Sequence, residues 1–106
     1  MATTNRVLRI RFAEFAAHEL SDACDWYEHQ QPGLGLRFKR DMRDAVARIA
    51  RNPTLFPIEL DDVRRYVMAR FPYALRHVLR GSEVWIVAVS HQHRRPDYWI
   101  ERIEKS

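Results

Sequence analysis

The chain has 106 residues, of which 46% are hydrophobic and 30% are charged, and this length fits one small domain with one core. Three glycines and five prolines are too few for a linker or low-complexity protein, and an aromatic content of 11% argues against disorder. Charged residues interrupt every apolar stretch before the roughly 18 residues that a membrane-spanning helix needs, and no apolar signal segment follows the N-terminus. We therefore expect one domain over residues 1–106, in the cytoplasm and without membrane contact.

The positive charge is unevenly distributed. Residues 1–62 contain nine basic and ten acidic side chains, whereas residues 63–106 contain nine basic and four acidic ones. Sixteen of the eighteen basic residues are arginines, whose planar guanidinium groups bind phosphate or carboxylate through paired hydrogen bonds. The C-terminal part therefore predicts a polyanionic partner, either nucleic acid or an acidic protein segment.

The first half of the chain predicts one strand and two helices. Residues 7–12 alternate between apolar and polar side chains, which is typical of a half-buried strand. From residue 13 to about residue 30, apolar side chains recur every three or four positions, as on an amphipathic helix. The segment 31–33, Gln-Pro-Gly, interrupts this pattern. A second amphipathic helix follows and ends at Asn52, because the residue before a proline avoids helical geometry.

The second half predicts three consecutive antiparallel strands. Two prolines and three acidic residues indicate an irregular connection over residues 53–62. Alternating patterns then predict strands over residues 64–70, 73–80 and 83–91, the last two joined by a two-residue turn at Gly81 and Ser82. Residues 85–89 are apolar at every position, which predicts the central strand of the sheet.

These elements predict an α+β domain in which an αα-hairpin packs on one face of a four-stranded, mainly antiparallel sheet. The N-terminal strand is one of the four, and a short C-terminal helix over residues 97–104 begins at Asp97 as its cap. The other sheet face is expected to be open. The arginine excess is expected on that face and on the C-terminal segment beside it: Arg64, Arg65, Arg70, Arg76, Arg80, Arg94 and Arg95.

The order and spacing of several short motifs resemble the RelE/ParE superfamily of toxins from bacterial type II toxin-antitoxin modules, which includes plasmid stabilisation proteins. The resemblance covers most of the chain. Its marks are Glu19-Leu20 and Trp26-Tyr27-Glu28, Pro32-Gly33-Leu34-Gly35 with Phe38, Asn52-Pro53, Arg64-Arg65, Arg70-Phe71-Pro72-Tyr73, and His91-Gln92-His93-Arg94-Arg95-Pro96 with Tyr98-Trp99.

The resemblance implies one fold with two kinds of activity. RelE-like members are metal-independent endoribonucleases that cut messenger RNA in the ribosomal A site, whereas ParE-like members inhibit DNA gyrase, so the fold does not decide the function. RNA cleavage without a metal needs a proton acceptor for the 2′-hydroxyl, a proton donor for the leaving oxygen and cations around the phosphate. The candidate catalytic residues are His91, His93, Arg65, Arg70 and Arg94.

Further candidates would bind the nucleic acid. Arg64 and Arg95 supply positive charge, and Tyr98 supplies a ring on which a base stacks. Arg64 and Arg65 are adjacent on a strand and point to opposite faces, so only one of them faces a given groove, and the other is solvated or paired with Asp61 or Asp62. A lysine acid of the RelE type is excluded, because the two lysines, Lys39 and Lys105, lie outside the predicted sheet.

Alternatives to catalysis remain open for the histidines. His91 serves equally well as a structural histidine at a strand end. His91 and His93 are two residues apart, but no third ligand accompanies them, so we expect no metal site and no cofactor. The single cysteine, Cys24, excludes an internal disulfide and a cysteine-based zinc site.

The sequence therefore predicts the toxin of a type II toxin-antitoxin module. It would inhibit growth by ribosome-dependent mRNA cleavage, as an mRNA interferase acting on the ribosome and mRNA, and a cognate antitoxin would neutralise it through an acidic flexible segment. The alternatives are a ParE-like toxin that inhibits DNA gyrase without catalysing a reaction, and an inactive module that binds the antitoxin only.

Overall fold

A computed structural model describes residues 7–92 of the chain. Two helices and five strands lie in this range: β1 (Arg9–Phe12), α1 (Glu14–Gln30), α2 (Leu34–Arg51), β2 (Ile58–Leu60), β3 (Val63–Val67), β4 (Tyr73–Arg80) and β5 (Glu83–His91). The architecture is α+β, with an αα-hairpin against one sheet, as the sequence predicts. The predicted C-terminal helix over residues 97–104 falls outside the described residues.

The strands form a mixed sheet in the order β1-β5-β4-β3-β2. Strand β1 pairs in parallel with β5, and the other three pairs are antiparallel. The N-terminal strand can pair in parallel with the last one because the two helices form the crossover between β1 and the rest of the sheet. This places the start of α1 beside β5, where the Ala13 amide donates a hydrogen bond to the Ile86 carbonyl at 2.9 Å.

The predicted strand count is wrong by one within residues 7–92. The segment 53–62, expected to be irregular, contains the three-residue edge strand β2, which pairs with β3. The chain turns at Asp61, which has a positive φ of 51°. Proline and acidic residues are typical of loops, but they also occur on short edge strands, where one side of the backbone needs no partner. This is why composition did not reveal β2.

The apolar strand β5 is not central, because β4 occupies the middle of the sheet. Strand β5 is nevertheless inner, paired with β1 and β4. A bulge opposite Arg76 and His77 shifts its register, so that Val87 and Ala88 both contribute to the face away from the helices. On the helix side, Val84, Ile86 and Val89 join the main core. Burial on both faces explains why residues 84–89 are apolar throughout.

The main core lies between the helical hairpin and the sheet. Helix α2 buries the stripe predicted from its periodicity, namely Phe38, Met42, Ala45 and Ile49. At one end of the core, Tyr27, Phe38, Phe71 and Tyr73 pack with ring centroids 4.9 to 6.1 Å apart. Mostly edge-to-face packing of this kind adds stabilisation beyond the area that the rings bury.

The two helices are joined by a tight connection around Glu28. Its carboxylate accepts hydrogen bonds from the amides of Gly33, at 2.9 and 3.1 Å, and Gly35, at 3.1 Å. Gly33 is the N-cap residue of α2 and Gly35 lies in its first turn, where helical N–H groups lack intrahelical partners and a negative charge is favourable. Gly33 adopts a φ of 89°, a conformation that glycine accepts without steric cost. The motif residues Glu28, Gly33 and Gly35 therefore have a structural role.

The sheet face away from the helices has a second buried cluster around an ion pair. Val63, Val78, Val87 and Ala88 are buried there. Beside them Arg76, only 5% exposed, forms two hydrogen bonds with the Glu59 carboxylate, at 3.0 and 3.3 Å, and a third with the Ser90 hydroxyl. A buried guanidinium needs such partners because its desolvation is costly.

His77 is a buried histidine of the core, 1% exposed. Its Nε2 lies 3.0 Å from the Pro53 carbonyl oxygen, which requires the proton on Nε2, and its Nδ1 is buried without a hydrogen-bond partner. Burial lowers the pKa of His77 below its usual value and nearby Arg64 lowers it further, whereas the hydrogen bond to Pro53 raises it. The ring is therefore neutral in the folded protein at neutral pH.

This histidine is expected to make the protein less stable at mildly acidic pH. Above the pKa of the unfolded chain, about 6.5, His77 is neutral in both states and has no effect. Below it the unfolded chain binds the proton first, so the free energy of unfolding falls with pH by at most about 1.4 kcal/mol per unit until the folded-state pKa is reached. Urea unfolding of the wild type and His77→Gln between pH 8 and about 5.5 measures this. If the free energy of unfolding falls with pH equally steeply in the wild type and in His77→Gln, the prediction is wrong.

No helix within residues 7–92 is long and apolar enough to span a membrane.

Candidate functional site

A cleft of about 340 Å³ separates α1 from the end of β5. From the helix, Glu19, Asp22 and Trp26 line it, and Tyr73 and His91 line it from the sheet. The three helix residues are three and four positions apart, which places them on one side of α1. Glu19 also accepts a hydrogen bond from the Val89 amide at 3.0 Å. This bond fixes the helix against β5 and forms one wall of the cleft.

His91 lies at the sheet side of this cleft, half-buried at the end of β5. It is paired in register with Tyr73 on β4, and the two rings meet edge to face with centroids 5.3 Å apart. Burial raises the pKa of Tyr73, and nearby Tyr27, Glu19 and Cys24 raise it further, so its phenol stays protonated at neutral pH. The cleft around His91 thus combines the aromatic ring of Tyr73 with the acidic residues Glu19 and Asp22.

Arg64 and Arg65 lie on opposite faces of β3, as the sequence predicts for neighbouring strand residues. Arg64 is on the helix side, where its Nη1 donates a hydrogen bond to the Phe56 carbonyl at 2.7 Å. Of the two predicted alternatives for the other arginine, solvation or pairing with Asp61 or Asp62, the pairing is not seen for either arginine in the described residues. Arg65 is half-buried on the other face, and its Nε has no hydrogen-bond partner.

Arg70 is exposed in the segment between β3 and β4 and lines a different cleft, of about 170 Å³. Asp41, Asp44 and Arg48 of α2 form the opposite wall. Arg48 donates a hydrogen bond to the Tyr66 hydroxyl at 3.2 Å. The charges around Arg70 are mixed, with two carboxylates beside two guanidinium groups.

The structure therefore distributes the candidate catalytic residues over three places. His91 lines the α1–β5 cleft, Arg70 lines the α2 cleft, and Arg65 lies on the face of the sheet away from the helices. The remaining candidates, His93, Arg94, Arg95 and Tyr98, fall outside the described residues. Within residues 7–92 no histidine is surrounded by the arginines proposed to hold a phosphate, and no group of three potential ligands could hold a metal ion.

The expected arginine-bearing sheet face holds only in part for the part of the chain that the structure describes. Arg65 and Arg76 lie on the face away from the helices, but Arg64 is on the helix side. That face is not open at Arg76, which is buried with Glu59, and Arg80 pairs with Asp62 at 2.6 Å. The alternation of residues along a strand predicts which face of the sheet each arginine lies on, but it does not predict which residue the arginine binds.

The side chain of Trp26, a residue of the Trp26-Tyr27-Glu28 motif, is 57% exposed at the rim of the α1–β5 cleft. Neither Trp26 nor Asp22 is among the site residues predicted from the sequence. The available signal was the helical spacing of Glu19, Asp22 and Trp26, which places them together but does not indicate that the sheet leaves a cleft beside them.

Comparison with known proteins identifies a matching family and several similar solved structures. The sequence model of the family described as "ParE toxin of type II toxin-antitoxin system, parDE" matches residues 10–96. A solved structure described as "Chromosomal ParDE TA system from P. aeruginosa" superposes with a TM-score of 0.72 at 20% identity, over 80% of this chain and 96% of that chain. At this identity the match shows a common fold. No curated protein matches the sequence.

Proposed function

Because the chain belongs to the ParE toxin family of type II toxin-antitoxin systems, we propose that it inhibits growth by binding DNA gyrase and not by cutting mRNA. Members of such modules have a cognate antitoxin, which is the partner that neutralises this toxin. Among the two activities implied by the resemblance to the superfamily, gyrase inhibition is the one associated with ParE-like members.

One observation supports the proposal: within residues 7–92, the three candidates for RNA cleavage, His91, Arg65 and Arg70, lie apart from one another. A metal-free ribonuclease needs its general base, general acid and phosphate-binding cations around one phosphate. His91 lines the same cleft as Glu19 and Asp22, whereas Arg65 is on the other face of the sheet. Carboxylates beside the phosphate of an RNA substrate would repel it. An inhibitor that acts by binding has no such requirement.

The proposal predicts that the histidines are dispensable for toxicity. We expect that induction of the chain without its antitoxin arrests growth equally for the wild type and for His91→Ala/His93→Ala, with no new RNA 5′ ends at early times. Purified protein is expected to inhibit gyrase supercoiling in vitro. His18→Ala, a change at an exposed position of α1, is the control for the effect of a histidine substitution itself.

Two outcomes would overturn this function. New RNA 5′ ends phased with codons, lost in the double histidine variant and retained in His18→Ala, would establish ribosome-dependent mRNA cleavage with His91 or His93 as a catalytic residue. Normal growth together with retained antitoxin binding would identify an inactive antitoxin-binding module.

A further inference from the structure

The solvent-facing surface of α2 carries a concentrated positive charge. Six basic and two acidic residues lie in this helix of 18 residues, an excess equal to the formal net charge of the whole chain, +4. All six basic side chains are exposed: Arg37, Lys39, Arg40, Arg43, Arg48 and Arg51. We call these six side chains the α2 basic surface. They lie opposite the buried stripe that contains Phe38 and Ile49, because the helical period separates the two sets.

These charges point to solvent and are not neutralised by the helix itself. In the part of the chain that the structure describes, the ion pairs involve Arg9, Arg11, Arg76 and Arg80, all outside α2. Asp41 and Asp44 share the helix with the basic residues, yet neither carboxylate is within ion-pair distance of them. Within residues 7–92 the α2 basic surface therefore makes no ion pair, and the two aspartates leave the helix with a net positive charge.

We propose that the α2 basic surface binds the phosphate backbone of double-stranded DNA. This goes beyond the proposed function, since inhibition of gyrase through protein contacts requires no DNA contact by the toxin. Five of the six side chains are arginines, whose guanidinium groups bind phosphate oxygens through two parallel hydrogen bonds. The helix is about 27 Å long and extends along about eight base pairs of duplex at 3.4 Å per pair.

The chemistry of this surface favours a nucleic acid over an acidic protein segment. Protein partners obtain most of their binding energy from a few anchors in well-packed, desolvated pockets, and exposed ion pairs contribute little. The large apolar side chain exposed on α2 is Leu36, at 53%, and the helix around it carries exposed basic side chains. DNA backbone binding needs no apolar anchor, because release of condensed counterions supplies the affinity.

The contact would be independent of base sequence. Helix α2 packs along one side against the core through Phe38, Met42 and Ile49, and it contains no asparagine, glutamine, serine or threonine with which to read base edges. Its outer side chains reach phosphates, which position a protein without reading bases.

Fluorescence anisotropy with a labelled duplex of about 20 base pairs, of arbitrary sequence, tests the proposal between about 50 and about 200 mM KCl. The purified full chain is expected to bind with a dissociation constant in the range of about 1 to 100 μM. The variant Arg40→Gln/Arg43→Gln/Arg51→Gln is expected to bind at least about tenfold more weakly at the lowest salt and to reduce the slope of log K against log salt by about 3. Glutamine keeps high helix propensity, and circular dichroism checks the fold.

The matched control removes the same three charges elsewhere, in Arg9→Gln/Arg11→Gln/Arg80→Gln. This control variant should bind the duplex with wild-type affinity. Its slope of log K against log salt should differ from the wild-type slope by less than about one unit. Equal weakening in both variants, or no binding by the wild type at the lowest salt, would overturn the proposal. Binding of polyaspartate but not of the duplex, lost in the α2 variant, would instead assign the surface to an acidic protein segment. Gyrase is absent from this assay, so its result is independent of the proposed function.

Discussion

Replacing Glu59 by alanine is expected to lower the free energy of unfolding by about 3 kcal/mol. The guanidinium of Arg76 is only 6% exposed and lies 3.0 Å from the Glu59 carboxylate, which is itself 25% exposed. Removing the carboxylate leaves the arginine charge in a poorly solvated place, and the cost of that exceeds the loss of one ion pair. Urea unfolding followed by circular dichroism measures the change.

Two further variants separate this effect from a general loss of contacts. Glu59→Ala combined with Arg76→Met is expected to recover most of the loss, to within about 1 kcal/mol of the wild type, because an apolar side chain replaces the buried charge. Asp62→Ala breaks the ion pair between Asp62 and Arg80, whose side chains are 61% and 50% exposed, respectively. This change should lower the free energy of unfolding by less than about 1 kcal/mol. If Glu59→Ala is as mild as Asp62→Ala, the Arg76 charge does not depend on Glu59.

Replacing Gly35 by alanine is expected to lower the free energy of unfolding by about 2 kcal/mol. A Cβ at this position would lie 2.6 Å from the Cys24 carbonyl oxygen and 3.0 Å from the Glu28 Cβ. The nearer atom belongs to the backbone of α1 and cannot rotate away, so the two helices must separate. The higher helix propensity of alanine offsets about 1 kcal/mol of a steric cost of about 3 kcal/mol.

Gly33→Ala is the matched control for Gly35→Ala. A Cβ at Gly33 meets nothing within 4 Å, and the cost is confined to its φ of 89°, about 1 kcal/mol for a residue with a side chain. Thermal or urea unfolding of both variants decides between packing and backbone strain. A Gly35→Ala protein as stable as the wild type would show that α1 and α2 can separate without cost.

The elements could be predicted from the sequence wherever a periodic pattern was long and unambiguous. The stripe of Phe38, Met42, Ala45 and Ile49 identified α2, and the apolar run 84–89 identified an inner strand. The prediction failed for β2, because three residues are too short for alternation to be visible and Pro57 beside them suggests a loop. It also failed for the position of β5, because the unpredicted strand β2 extends the opposite side of the sheet and makes β4 the middle strand.

The candidate site was harder to predict, because it depends on which side chains meet. The candidates His91 and Arg65 both belong to predicted strands, but neither pattern indicates that they face opposite sides of the sheet. The bulge in β5 alters the phase of alternation after Val87, so a strict period of two would assign His91 to the wrong side. The exposure of Trp26 is equally invisible in the sequence, since an aromatic residue on an amphipathic helix more often packs in the core.

By itself the sequence determined the αα-hairpin, four of the five strands in the described part of the chain, and the family resemblance that the ParE toxin match confirms. Local spacing is sufficient for these features, because apolar periodicity and glycine or proline at element ends act over a few residues. Only the tertiary structure decided that Arg76 is a buried partner of Glu59, that Glu28 caps α2, and that the positive charge of α2 is unpaired. Those properties depend on contacts and on burial, and the low dielectric of the interior makes a charge costly or valuable according to its neighbours.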